Sequence, residues 1–66
     1  MKFSENIRLL REKKSARQED IAKEIGVSTH TYQKYEYEQQ EPRMSTLIAL
    51  ADYFDISLDE LVGRER

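Results

Sequence analysis

Thr29, His30, Gln33 and Lys34 form a short run of hydrogen-bonding and cationic side chains interrupted by two tyrosines, Tyr32 and Tyr35. A helix through this stretch turns both rings to one side, because residues three apart share a face, and leaves the four polar side chains on the outer faces. A hydroxyl, an imidazole, an amide and an ammonium can donate, accept and carry charge. Without a paired base or a thiol they suit recognition rather than turnover. The remainder of the chain agrees: it has one histidine, no cysteine and no glycine-rich phosphate loop, and a domain this small has no room for a deep pocket, so no enzyme is expected. Asp52, Asp55, Asp59 and Glu60 lack a calcium-loop pattern with its central glycine and read as helix caps and a solvated face. No metal, cofactor or small-molecule ligand is expected. Taken alone, the four polar residues also fit an ordinary solvated helix face, and His30 by itself decides nothing.

The element that must position them is a pair of helices within Gln18 to Glu36. Ile21, Ala22 and Ile25 make a compact apolar stripe for a first short helix, and Tyr32 and Tyr35 give the second its inward face. Gly26 lies between, where a sharp turn needs positive φ. Ala22 suits a close helix crossing that admits only a methyl group, Val27 plugs the corner, and Ser28 is placed to cap the second helix. Gln18 falls at the N-terminus of the first helix, where free N–H groups and the positive dipole end attract anions, so it is a candidate phosphate contact. Arg43, opening a later helix, and Arg17 are placed for the same role. For each of the three, a surface position with no partner is the plain alternative.

This stretch resembles the Cro/cI-type (xenobiotic-response-element) family of helix-turn-helix proteins, with the motif at about residues 18–37. Apolar or small residues stand where that family has them, at Ile21, Ala22, Ile25, Gly26, Val27, Tyr32 and Tyr35, and a glutamine opens the first helix. The likeness continues through Arg11 before the motif and through Glu41-Pro42, Leu47, Leu50 to Phe54 and Ile56 to Leu61 after it. It implies an all-α, five-helix, lambda-repressor-like domain over residues 1–66 whose second motif helix enters the DNA major groove. It further implies that Thr29, His30 and Lys34 read bases, with Gln33 beside them at the groove wall. Arg11 and Glu36 are then expected to form an enclosed ion pair that orients the first and third helices.

Charge qualifies this reading. The chain has a formal net charge of −2 and a pI near 5.4, unlike most electrostatic DNA binders. Its distribution is uneven: residues 1–34 carry eight Lys or Arg against five Asp or Glu, net +3, and residues 35–66 three against eight, net −5. Because exposed charges are screened beyond about 8 to 10 Å at physiological salt, a basic face can still hold phosphates while the acidic half points elsewhere. No apolar run approaches a membrane span, and MKFSENIRLL is too short and too charged for a signal peptide. The lack of cysteine fits a reducing cytoplasm.

In chain order, helix 1 is expected from Ser4 or Glu5 to Lys14, with Lys13 and Lys14 favouring its C-terminal dipole. Helix 2 is expected over Gln18 to Ile25 and helix 3 over Thr29 to Glu36 or Tyr37. The family places Asn-Gly after helix 3. Here Tyr37-Glu38 stands there, and because a left-handed glutamate costs roughly 1 kcal/mol or more, helix 3 is expected to run on for part of a turn. Helix 4 should extend from Met44 or Ser45 to Phe54. Helix 5 should cover Leu58 to Val62, with Ser57 as cap, Glu60 in the capping-box position, Gly63 as stop and Arg64 to Arg66 fraying. No strand is expected. The core is expected from Ile7, Leu10, Ile21, Ala22, Ile25, Val27, Tyr32, Tyr35, Leu47, Leu50, Ala51, Phe54, Ile56 and Leu61, with Met44 also at core spacing.

The function expected is that of a sequence-specific transcriptional regulator, a repressor, acting on double-stranded DNA as a homodimer on an inverted repeat. Ile48, Tyr53, Leu58 and Val62 are the apolar side chains left over for such an interface; scattered exposed residues of a monomer are the alternative. A protein-interaction module, antitoxin-like or an adaptor subunit, is the rival from another class. It would use the same fold but bind protein through the acidic half.

Overall fold

The computed structural model describes residues 3–63. They form five helices, α1 (Phe3–Lys13), α2 (Gln18–Ile25), α3 (Thr29–Glu36), α4 (Met44–Phe54) and α5 (Leu58–Val62), with no strand among the described residues. The expected helix number, order and class are those observed. The expected fraying of Arg64 to Arg66 lies outside the described residues.

One device ends four of these helices. A backbone N–H two or three residues past the helix donates to the carbonyl five residues back: Ala16 to Arg11 (3.1 Å), Val27 to Ala22 (3.0 Å), Gln39 to Lys34 (2.9 Å) and Ile56 to Ala51 (3.0 Å). Each closure requires a left-handed residue just before the donor. The four are Ser15 (φ 57), Gly26 (φ 79), Glu38 (φ 60) and Asp55 (φ 56). Only one is glycine. A Cβ built on Gly26 would meet nothing within 4 Å, so that position needs glycine for its backbone angle and not for space.

Glu38 corrects the expectation that α3 runs on. The helix stops at Glu36 and Tyr37 caps it; Glu38 takes the left-handed angle despite its cost, and the Gln39 N–H closes the helix end on the Lys34 carbonyl. Glu38→Gly should therefore raise stability by about 1 kcal/mol, which in a domain of this size moves the thermal midpoint up by roughly 4 to 8 °C. A lowered midpoint would contradict this account of the α3 end.

Ile7, Ile21, Ala22, Tyr32, Tyr35, Leu50, Ala51 and Leu61 make the buried core. Leu10, Ile25, Val27, Leu47, Phe54 and Ile56 pack against it partly buried, joined by Phe3, Ala16 and Tyr53. Met44, expected inward, is 63% exposed. It opens α4, and a side chain in the first turn leans back past the helix start, beyond the contact its spacing suggests. Ala22 is 1% exposed. Ala22→Leu should overpack the contact and cost roughly 1 to 3 kcal/mol; an unchanged midpoint of denaturant unfolding would count against so tight a crossing.

Polar ties bind the ends of the fold. Asn6 Nδ2 donates to the carbonyls of Glu60 and Leu61, both at 2.6 Å, fastening α1 to the carbonyl end of α5. Lys14 does not serve its own helix terminus as expected. Its Nζ donates to the Tyr53 carbonyl at 3.0 Å and lies 4.1 Å from the centroid of the Tyr53 ring, so its charge works at the C-terminus of α4.

Candidate nucleic-acid interface

Helix α3 is anchored by its tyrosines. Tyr32 is fully buried and Tyr35 nearly so, their rings meeting edge to face at 6.2 Å. Ser28 Oγ accepts from the Thr31 N–H at 3.1 Å and donates to Thr31 Oγ1 at 2.9 Å, which fixes where the helix begins. With the tyrosines fixed, Thr29 and His30 stand exposed in the first turn, and Gln33 and Lys34, one turn later, are half-buried. Helical spacing places Thr29 with Gln33 and His30 with Lys34 in two adjacent rows.

A hydrogen-bond network supports this face from below. Glu36, on the inner side of α3, has a side chain only 1% exposed. Its Oε2 accepts from Arg11 Nε at 2.7 Å and from the Tyr32 hydroxyl at 2.6 Å. Its Oε1 accepts from Arg11 Nη2 at 3.2 Å and from Gln18 Nε2 at 3.0 Å. Arg11 Nη1 also donates to the Ala16 carbonyl at 3.2 Å, tying down the α1–α2 corner. Burial alone would push the Glu36 carboxyl up, but the hydrogen bonds from Arg11, Tyr32 and Gln18 outweigh it and hold the group below its ordinary value. The Tyr32 phenol is pushed well above its ordinary value, by burial first and then by the carboxylate it donates to. The network continues outward, where Gln33 Nε2 donates to Gln18 Oε1 at 3.2 Å.

The structure thus brings Arg11, Glu36, Gln18 and Gln33 together. Neither the tyrosine hydroxyl nor the amide pair was read from the sequence. Tyr32 and Glu36 lie four apart on one helix, a readable signal; Gln18 and Gln33 meet only through the crossing of α2 on α3. Arg17 precedes α2 with its guanidinium 2.9 Å from Glu19 and 3.2 Å from Asp20, largely exposed, so two carboxylates already balance its charge. Arg43 is exposed at the N-cap of α4. It shares with Thr31, Val27 and Ser45 a shallow cleft of about 570 Å³ beside α3.

Of the leftover apolar residues, Ile48 (46%) and Leu58 (39%) are exposed. Tyr53 and Val62 are half-buried, and the Tyr53 ring is occupied by Lys14 on its face and by Phe54 at 5.1 Å. Met44, on the same face of α4 as Ile48, and Tyr37 are exposed too. Among the described residues no group of three potential metal ligands occurs, and no helix is long and apolar enough to cross a membrane.

Two short helices joined at a left-handed glycine, with the second held by buried rings and turning a polar first turn outward, define a helix-turn-helix domain of the phage-repressor fold. The helix-turn-helix family profile matches residues 7–61, and the chain belongs to that family. It is 41% identical over 64 residues to the cryptic phage CTXphi transcriptional repressor RstR of Vibrio cholerae, a match covering 97% of this chain and 57% of the relative. It is also similar in structure to a transcriptional regulator from Listeria innocua (TM-score 0.92, 35% identity, 98% of this chain and 61% of the other). The P22 c2 repressor protein, solved in complex with a synthetic operator, superposes with TM-score 0.91 at 31% identity over 98% of each chain. The relatives named here are transcriptional regulators, not enzymes. The chain spans little more than half the length of the curated relatives it matches.

Proposed function

We propose that this chain binds double-stranded DNA sequence-specifically through α3 and represses transcription, two copies acting on an inverted repeat. The carrying observation is the exposure of Thr29 and His30 in the first turn of a helix whose other side is locked into the core. The N-terminal residues of a recognition helix are those that reach base edges. Lys34 and Gln33 extend the reading face, while Gln18 and Arg43 suit phosphate contacts. The likeness to an operator-bound repressor over the whole fold supports the same docking.

Size argues for two copies. An eight-residue helix is about 12 Å long and meets only a few base pairs, too few for useful discrimination. The described fold measures 32 × 23 × 19 Å, and half-sites on one face of DNA lie about 34 Å apart, so one copy inserts one helix into one half-site. Ile48, Leu58 and Met44 are the exposed apolar side chains best placed for the two-fold contact, with Tyr53 and Val62 at its margin.

Binding to random duplex DNA should be detectable in low salt and weaken steeply as salt rises, because phosphate contacts release counterions. On a selected site, the mass of the complex should correspond to two chains. Failure to bind any duplex in low salt would favour the protein-interaction reading, in which the acidic half is the working surface. A single chain bound at saturation would remove the two-copy part alone.

A further inference from the structure

We propose that Gln18 is a specificity-determining residue that acts through Gln33, by fixing which way the Gln33 amide faces. This rests on the reading of α3 as the DNA-contacting helix. The buried Glu36 carboxylate accepts and cannot donate, so the Gln18 amide must turn its nitrogen toward it, as the 3.0 Å contact shows. Gln18 Oε1 is thereby turned toward α3, where it accepts from Gln33 Nε2 at 3.2 Å. The Gln33 amide is oriented in turn: its nitrogen faces α2, and its oxygen is left for a base edge beside the remaining Nε2 hydrogen. A free glutamine presents acceptor and donor in either order by half a turn of its amide. A locked one presents a single order.

Gln18 and Gln33 are both half-buried, which limits the water that could replace the bond between them. The sense of the chain is set by charge at its buried end, since Arg11 and Tyr32 also donate to Glu36 and leave it no role except acceptor. The chemistry selected is an exocyclic amino group facing the carbonyl oxygen, with the remaining Nε2 hydrogen beside it for a neighbouring acceptor: adenine N6 with N7 satisfies both, cytosine N4 the oxygen alone, whereas guanine O6 and thymine O4 would meet the oxygen with a second acceptor. A contact of Gln18 with phosphate alone would leave base choice untouched.

The test compares the 66-residue wild-type chain with Gln18→Ala, Gln18→Met, Gln33→Ala and the double variant Q18A/Q33A. Each is measured against duplexes carrying every single-base change in a site selected by the wild type. Unfolding midpoints are recorded for all, since Q18A leaves Arg11 and Tyr32 on Glu36. Gln33→Ala should flatten one base position, at which the wild type prefers an amino-bearing base by roughly fivefold or more. Gln18→Ala and Gln18→Met should flatten the same position, and the double variant should be no flatter than Q33A. Retention of the full preference in both Gln18 variants, or no position flattened by Q33A, overturns the proposal while leaving α3 as the reading helix. A wild type with no preferred site overturns that reading as well.

Discussion

Glu36→Ala should destabilise the protein by about 3 to 5 kcal/mol, the range for breaking a buried pair from one side. Arg11 would keep a guanidinium whose side chain is 16% exposed with its main acceptor gone, and the buried Tyr32 hydroxyl and the Gln18 amide would lose theirs. Domains are stable by roughly 0.05 to 0.15 kcal/mol per residue, so this loss approaches the whole stability of a chain this small. Replacing both partners with apolar residues of similar volume, Arg11→Met with Glu36→Leu, should cost less than Glu36→Ala, because no charge is stranded. Denaturant unfolding of the three proteins checks this. A loss below about 1 kcal/mol for Glu36→Ala, the size of a surface pair, would show that the pair contributes little.

The same pair fixes a pH dependence. Glu36 sits below its ordinary value in the folded protein, so its contribution is fully present above the unfolded carboxyl range near pH 4.3. It is lost as pH falls through the lower folded value. Arg11→Ala should reverse the sign. With its main counter-charge gone, burial dominates and raises the carboxyl, so the variant should gain stability on acidification through that raised value, where the wild type is still unchanged.

The α2–α3 corner was legible because its information is local: Ile21, Ala22, Ile25 and Gly26 specify stripe, crossing and turn within six positions. So were Ser57, Glu60 and Gly63, which form the expected capping box and left-handed stop of α5. The end of α3 was misread because propensity weighs Glu38 alone, whereas the Gln39 N–H and the Lys34 carbonyl decide it together. Met44 has core spacing, but spacing does not say where a helix outruns its partners. The Gln18–Gln33 pair lies beyond sequence reading for another reason, as two amides fifteen residues apart meet only once the helix crossing exists.

The second large effect concerns recognition. Alanine at Thr29 or at His30 should cost about 1 to 3 kcal/mol on the preferred site and little on random DNA, since base-edge contacts carry sequence information and phosphate contacts do not. Both substitutions remove exposed groups, so folding should be unaffected. Arg43→Ala should behave oppositely, weakening all duplexes alike and flattening the dependence of log affinity on log salt by roughly one counterion. Competition titrations at two salt concentrations separate the two behaviours. A uniform loss in Thr29→Ala would move that residue from base reading to backbone positioning.

The central claim, that α3 reads DNA sequence, is tested most directly by selection from a random duplex pool. Wild-type chain and the double variant Thr29→Ala/His30→Ala would be run at the same salt and protein concentration. The wild type should enrich an inverted repeat with half-site centres about 10 base pairs apart, and the double variant should lose one or two positions from each half-site while still binding random DNA. The same motif enriched equally by both proteins would show that helix α3 is not the reading element.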